Sequence, residues 1–183
     1  MSDDLFVQHC SPTLAGMKAG SLFSCSFQTR KELEDYIIHA NRILSPKGIR
    51  VMVLRSRDNR ALVYMFRPHA VEKILADPMA AALLRQRGYE QLQLESCLRR
   101  LMSRIRQQEE FPHEIGLFLG YPPEDVRGFI ENAARNQKCV GCWKVDGDEE
   151  AARKTFAKYK KCTAVYCSQW QKGKSIEKLA VAG

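Results

Sequence analysis

The chain contains 183 residues, of which 45% are apolar and 27% are charged, and its formal net charge is +8. This composition predicts a single compact domain over residues 1–170, followed by a flexible tail over residues 171–183. No apolar run approaches the roughly 20 residues of a membrane-spanning helix, and the acidic N-terminus lacks a signal-peptide pattern. We therefore expect no membrane span and a cytoplasmic location.

The first part of the chain predicts a strand followed by a helix. Residues 20–27 alternate in part between apolar and polar side chains, which is typical of a short strand. Thr29 and Glu32 have the spacing of a capping box, so a helix is expected to begin there. Apolar residues then recur on one face of this helix, and the sequence SPKG at residues 45–48 ends it.

A β-hairpin is predicted next. Residues 49–55 and 61–67 are rich in β-branched, aliphatic and aromatic side chains, and they flank the sequence SRDN, which has the chemistry of a hairpin loop. Apolar residues occupy both faces of the second strand. This pattern predicts a strand that is covered on both sides or lies centrally in its sheet.

The middle of the chain predicts helices. Pro68 can begin one helix, and Asp77 and Pro78 begin another as cap and first-turn residues. Gly88 ends this second helix. A third, over residues 89–108, is amphipathic. Its apolar stripe consists of Leu94, Leu98, Leu101 and Ile105.

The last part predicts a helical hairpin at residues 112–134, a short strand at residues 139–145 and a long amphipathic helix from about residue 148 to residue 170. In that helix the aromatic residues share one side, as in a core-facing surface, and the basic residues lie opposite. Together these elements predict an α+β fold with about four strands, at least partly antiparallel.

Residues 113–136 raise the question of DNA binding, because they have the pattern of a helix-turn-helix. The second helix of that motif must present its first turn to the bases. Here that turn holds Glu124 and Asp125, whose carboxylates favour the helix dipole but repel phosphates, and Arg127 is the one good outward donor. A helical hairpin packed on the sheet is the preferred interpretation.

A second basis for nucleic-acid binding is the basic C-terminal helix. Seven lysines and arginines occur between residues 151 and 176 without an acidic residue. Such a run can attract nucleic acid or an acidic partner. Runs of charge are more often solvent-exposed faces, so nucleic-acid binding is kept as the less favoured alternative.

Seven cysteines at irregular spacing make a poor disulfide framework, so most are expected to be free thiols. Cys139, Cys142, Cys162 and Cys167 suggest a zinc site. On an extended strand, however, Cys139 and Cys142 would point to opposite faces, and five residues on a helix separate Cys162 from Cys167 by about 140°. Zinc is therefore not expected.

The sequence QHCSPTLAGMKAGSLFS at residues 8–24 concentrates polar side chains among proline and glycine. It predicts a polar loop that enters a strand and could line a pocket, although turn and capping groups would give the same composition. Cys10 could act as a nucleophile if a base lay beside it. His113 and Glu114 are acid–base candidates only if they face the same cleft, since Glu114 also suits a helix start.

Three segments carry a family resemblance: residues 111–132 (FPHEIGLFLGYPPEDVRGFIEN), residues 139–162 and residues 9–24. They resemble a family of small proteins from anaerobic Gram-positive bacteria that is classified as a domain of unknown function. The likeness covers roughly residues 5–167. It implies no activity or cofactor, and Cys142 stands where the family usually has an aromatic residue, which further weakens the zinc interpretation.

The leading hypothesis is an α+β protein that binds a small molecule or a protein in a cleft between residues 9–24 and 113–121, with an unknown cofactor and no assigned activity. One alternative is an enzyme with Cys10 as nucleophile and His9 or His113 as base. The other is nucleic-acid binding through the C-terminal basic helix or the helical hairpin. The candidate ligand-binding residues are His9, Cys10, Thr13, Lys18, His113, Glu114, Tyr121 and Trp143.

Overall fold

The computed structural model describes residues 2–107, 111–132, 139–140, 143–145 and 147–183. It has an α+β fold, as predicted, and the chain divides into two compact units. The single domain over residues 1–170 stays a prediction. The sheet unit comprises Met1–His69 and Tyr159–Gly183, and the helical unit comprises Ala70–Lys158. The sequence pattern could not show this division, because the sheet unit is built from both ends of the chain.

The sheet unit contains a three-stranded antiparallel sheet in the order β1-β3-β2. The strands are β1 (Gly20–Ser26), β2 (Arg50–Arg57) and β3 (Arg60–Phe66). The central position of β3 confirms the prediction from its two apolar faces. Asp58 and Asn59 join β2 to β3 with positive φ angles of 50° and 58°, which are typical of the two-residue turns that follow the twist of a hairpin.

Two helices pack on this sheet, α1 (Asp4–Leu14) on β1 and α2 (Arg30–Leu44) on β2. The predicted capping box begins α2: the Thr29 hydroxyl accepts the Glu32 N–H at 3.1 Å, and the Glu32 carboxylate accepts the Gln28 N–H at 2.7 Å. A short 3₁₀ turn, Ser45–Lys47, follows α2. The core between helices and sheet includes Phe6, Leu14, Phe23, Tyr36, Val63 and Met65.

The C-terminal residues, for which the sequence predicted a flexible tail, make contacts within this unit. They form α9 (Ile176–Leu179), whose Ile176 joins the hydrophobic core. The Val181 N–H donates to the Leu14 carbonyl at 2.9 Å. The stretch has few apolar residues, but the structure buries three of them, Ile176, Leu179 and Ala180.

Arg67 links three parts of the sheet unit. Its side chain is 6% exposed and donates to the carbonyls of Thr13 at 2.7 Å, Leu14 at 2.8 Å, Val181 at 2.8 Å and Lys47 at 3.3 Å. A guanidinium can serve this many acceptors because it has five N–H donors in a planar fork. Arg67 therefore holds the end of α1 and the C-terminal segment in place.

The helical unit is built from helices and one small hairpin of strands. Its elements, some of which extend beyond the unit, are α3 (Pro68–Leu75), α4 (Pro78–Gln86), α5 (Leu94–Gln107), α6 (Ile115–Phe118), α7 (Pro123–Asn132), β4 (Cys139–Val140), β5 (Lys144–Val145) and α8 (Glu149–Gln171). The apolar stripe predicted for α5 is buried. None of the described helices is long and apolar enough to cross a bilayer.

Three sequence predictions concern the elements in the later part of the chain. The long C-terminal helix is confirmed, since α8 matches the predicted residues 148–170 closely. The helical hairpin at residues 112–134 consists of α6 and α7, but α6 is a single turn. The single strand predicted at residues 139–145 was wrong, because β4 and β5 pair antiparallel there as two short strands.

Candidate functional site

A cavity of about 260 Å³ lies in the helical unit beside α6, α7 and β5. Its described lining is mostly aromatic and aliphatic, and it includes one carboxylate and one imidazole. We call it the aromatic pocket. It is lined by Phe111, His113, Ile115, Gly116, Leu119, Tyr121, Asp125, Val126, Phe129 and Trp143.

Two glycines shape the wall made by α6 and the turn that follows it. A Cβ atom at Gly116 would lie 2.8 Å from Val126 Cγ2 and 3.0 Å from Tyr121 Cδ2, so only glycine lets these side chains pack against α6. Gly120 has a φ of 82°, a conformation that favours glycine at a helix end. Gly116 thus allows close packing at the pocket wall, and Gly120 allows the turn that follows α6.

Asp125 joins α7 to the β5 region. Its carboxylate is 3% exposed, and its two oxygens accept hydrogen bonds from the Trp143 indole N–H at 2.7 Å and the Gly147 backbone N–H at 2.6 Å. These contacts fix the Trp143 ring at the pocket wall. The sequence interpretation assigned Asp125 only to the helix dipole, so this role was missed.

The aromatic rings of the pocket contact one another. Tyr121 and Trp143 are stacked, with centroids 5.0 Å apart and planes inclined by 26°. His113 meets Phe129 edge to face at 4.7 Å, and Trp143 meets Phe156 in the same way at 4.6 Å. Such pairs add stabilisation beyond the area that they bury, and they hold the rings in defined orientations.

The structure brings together three of the predicted site residues, because His113, Tyr121 and Trp143 all line the aromatic pocket. Glu114 has a different role. It is 1% exposed, forms a salt bridge with Arg104 and accepts the Tyr89 hydroxyl at 3.1 Å. Glu114 therefore stabilises the packing next to the pocket and does not line it.

The other four predicted site residues, His9, Cys10, Thr13 and Lys18, belong to the sheet unit. The predicted polar loop was wrong over its first part, since residues 4–14 form α1. The predicted cleft between residues 9–24 and 113–121 thus combines segments of the two units, and it stays a prediction.

Within α1 and the turn after it, these four side chains have separate surroundings. His9 is exposed and stacks on Phe23, with centroids 5.4 Å apart. Thr13 is buried, and its hydroxyl is 2.8 Å from that of Ser21. The Lys18 ammonium lies 6.0 Å from the centroid of the Tyr159 ring. No acid–base pair with Cys10 emerges from these contacts.

Cys10 is fully buried in the hydrophobic core of the sheet unit. Burial raises the pKa of its thiol well above the ordinary value, although the charge of Lys18 and a hydrogen bond with Ser21 act in the opposite direction. A nucleophilic cysteine needs an accessible thiolate. The structure therefore does not favour the enzyme hypothesis that was based on Cys10 with His9 or His113.

Alkylation of the native protein with iodoacetamide should modify half-buried Cys167 well before Cys10. Peptide mass spectrometry at successive times would measure both rates, and the same reaction in guanidinium chloride supplies the reference in which burial no longer protects either thiol. Labelling of Cys10 at the rate of Cys167 in the native protein would contradict its position in the core.

The zinc interpretation concerns residues that are only partly described. Cys142 and the side chain of Cys139 lie outside the described residues. Cys162 and Cys167 are half-buried on α8. In the described parts of the chain, no three histidine, cysteine, aspartate or glutamate side chains form a group that could hold a metal ion.

The structure gives little support to nucleic-acid binding. α6 has only four residues. In the first turn of α7, the Asp125 carboxylate already accepts hydrogen bonds from Trp143 and Gly147. On α8, Arg153 and Lys154 form i,i+4 salt bridges with Glu149 and Glu150. The basic residues from Arg153 to Lys161 are exposed, as expected for a solvated helix face.

Comparison with known proteins identifies the family of the chain. No curated protein and no solved structure matches the chain. One family model, described as "Protein of unknown function (DUF3793)", matches residues 6–180. That match spans nearly the whole chain and confirms the expected membership of a family without an assigned activity. The chain therefore belongs to this family of proteins of unknown function.

Proposed function

We propose that the protein binds a small organic molecule in the aromatic pocket. The observation that carries this proposal is a cavity with aromatic and aliphatic walls and a few fixed polar groups, His113 and Asp125 among them. Ligand sites in proteins have this composition, because apolar walls supply affinity and a few polar groups set orientation.

The size of the pocket limits the ligand. Pockets for drug-sized molecules have volumes of roughly 300–1,000 Å³. The aromatic pocket, at about 260 Å³, lies just below that range and suits a smaller compound. Its described lining contains no serine, threonine, cysteine or lysine, so these residues support binding more directly than nucleophilic catalysis.

A cytoplasmic location is part of the proposal. It rests on the odd number and irregular spacing of the seven cysteines, and on the free thiols of the five cysteines whose side chains are described. Cysteines usually stay reduced in the cytosol, whereas exported proteins commonly pair them in disulfides.

The two tryptophans of the chain make the binding test specific. Trp143 lines the pocket, while Trp170 lies in the sheet unit and serves as an internal control. We expect neutral probes, benzyl alcohol and indole, or the cationic probe phenyltrimethylammonium to shift the NMR signal of the Trp143 indole N–H in a saturable manner. The Trp170 signal should stay constant.

A pocket variant strengthens the test. Gly116→Ala places a methyl group against Val126 and Tyr121, so the pocket walls must move and probe affinity should fall several-fold. Met79→Ala, at an exposed position on α4, is the matched control and should leave affinity unchanged. The proposal is overturned if none of the three probes shifts the Trp143 signal, or if Trp143 and Trp170 respond alike.

A further inference from the structure

We infer that the helical unit carries a ligand site separate from the aromatic pocket, at which two arginines of α5 bind a phosphate group. This site goes beyond the function proposed above and does not depend on it. It is a cavity of about 340 Å³ formed by the residues that follow α4 and by the first half of α5. We call it the arginine cavity. Its lining includes Glu90, Gln91, Ser96, Arg99 and Arg100.

The sequence around this cavity is rich in arginine. Residues 85–106 contain six arginines, two glutamates and no lysine or aspartate. The excess of positive charge attracts anions to this part of the unit. An arginine side chain presents its N–H donors in a planar fork that matches the oxygens of a phosphate in pairs, whereas a lysine acts as a point charge. The composition therefore favours phosphate recognition.

Arg99 is held at the cavity by two successive hydrogen bonds. Its Nη2 donates to the Ser96 hydroxyl oxygen at 3.1 Å, and the Ser96 hydroxyl donates to Oε1 of Gln91 at 3.1 Å. Among the described residues, Ser96 is the one acceptor of the Arg99 guanidinium, which has five N–H donors. The side chain is thus positioned before a ligand binds, and most of its donors stay available to that ligand.

Arg100 reaches the same cavity from the next position on α5. Helix side chains lean toward the N-terminus of their helix, which brings both arginines close to the turn that follows α4. A Cβ atom at Gly88 would lie 2.9 Å from Nη2 of Arg100, so the guanidinium lies against the glycine backbone. Gly88 has a φ of 81°, which favours glycine, and its lack of a side chain leaves room for the guanidinium.

The positive charge of the two guanidiniums is not neutralised within the described parts of the chain. Glu90 lines the cavity, but it forms no salt bridge with Arg99 or Arg100. No other described carboxylate pairs with either arginine. Two positive charges in one cavity repel each other. A phosphate dianion would replace this repulsion with charge-assisted hydrogen bonds, which are stronger than bonds between neutral groups.

The directions of the donors indicate a phosphate group and not a carboxylate. Consecutive residues of a helix lie about 100° apart around its axis, so Arg99 and Arg100 approach the cavity from two directions. The tetrahedral oxygens of a phosphate can accept from both, whereas a planar carboxylate matches one fork. A water molecule occupies roughly 30 Å³ of liquid and a phosphate ion is only a few times larger, so the cavity also holds part of an attached group. The ligand is therefore a phosphate dianion, either free or as the monoester of a small molecule.

Titrations of the unaltered protein with four anions at constant ionic strength test the inference. Inorganic phosphate and methyl phosphate are mostly dianions at about pH 7.5, because their second pKa is near 6, whereas dimethyl phosphate and acetate are monoanions. The dianions should shift the backbone N–H signals of Gly88 and Ser96 in NMR spectra in a saturable manner. They should bind at least about fivefold more tightly than either monoanion. The signal of Gly173, in the sheet unit, should stay constant.

The same titrations separate the two sources of a phosphate group. Tighter binding of methyl phosphate would identify a phosphomonoester as the ligand, and tighter binding of inorganic phosphate would identify the free ion. Acetate or dimethyl phosphate binding as tightly as the dianions would overturn the inference, because general attraction to positive charge would then explain the shifts. Absence of a saturable shift at Gly88 and Ser96 with all four anions would also overturn it.

Variants at exposed positions assign the binding to the two arginines. Arg99→Gln and Arg100→Gln should each weaken phosphate binding at least about fivefold, and Arg100→Lys should have an intermediate effect because it keeps the charge without the fork. Glu90→Gln should instead tighten binding, since it removes a carboxylate from the lining. Arg127→Gln removes an exposed arginine of α7 and is the matched control, with an expected change below about twofold. Equal losses in Arg99→Gln, Arg100→Gln and Arg127→Gln would show that net charge alone attracts the anion, contrary to the inferred site.

Discussion

Replacing Arg67 with alanine should lower the free energy of unfolding of the sheet unit by about 3–5 kcal/mol. The guanidinium donates to three carbonyls within 2.8 Å, those of Thr13, Leu14 and Val181. A hydrogen bond to a charged group contributes about 1.5–3 kcal/mol, and buried carbonyls that lose their donor add a desolvation cost. The variant removes all of these bonds at once.

Urea unfolding of protein labelled with 5-fluorotryptophan would measure this loss, since Trp170 reports on the sheet unit and Trp143 on the helical unit. Arg67→Lys keeps the charge but not the planar fork, so an intermediate loss is expected. Arg60→Ala, at an exposed hairpin position, is the control and should change stability by less than about 0.5 kcal/mol. Equal losses for Arg67→Ala and Arg60→Ala would show that Arg67 does not anchor the unit.

Replacing Glu114 with glutamine should lower the free energy of unfolding of the helical unit by about 3 kcal/mol or more. The Arg104 side chain is 13% exposed and pairs with Glu114, which is 1% exposed. Glutamine has nearly the same shape and still accepts the Tyr89 hydroxyl. The loss of unfolding free energy therefore arises because Arg104 would keep its charge in a buried position without its partner.

A double-mutant cycle tests this explanation. Adding Arg104→Met to Glu114→Gln removes the unpaired charge, so the double variant should be more stable than Glu114→Gln alone. Glu90→Gln, next to Tyr89 but exposed, is the control for loss of a carboxylate. Additive losses in the cycle would mean that Glu114 and Arg104 act independently, contrary to the ion pair.

The elements that could be predicted are those whose signals are local. The capping box at Thr29, the hairpin at residues 56–59 and the stripe of α5 each depend on residues a few positions apart. α1 was missed because Pro12 and neighbouring polar residues suggested a loop. Phe6, Cys10 and Leu14 nevertheless have the four-residue spacing of one helix face, and all three are buried in the core.

The aromatic pocket could be predicted only in part. His113, Tyr121 and Trp143 were identified because they lie in motifs dense in polar and aromatic residues. Asp125 and Phe129 were missed, since their roles depend on contacts that no local pattern specifies. The bond between Asp125 and Trp143 spans 18 residues, and helix periodicity does not reveal which distant residue α7 will contact.

The discontinuity of the sheet unit affects the order in which the chain can fold during synthesis. The bond from Arg67 to Val181 spans 114 residues, and Val181 also bonds to Leu14 at the end of α1. Residues 70–158 leave the ribosome before residues 159–183, so the helical unit has its full sequence first. Until residues 159–183 have been synthesised, the three-stranded sheet lacks α9 and the Val181 carbonyl, which is one of the four acceptors of Arg67. We therefore expect the apolar surface that Ile176 covers to stay exposed during that interval, when chaperones can bind it.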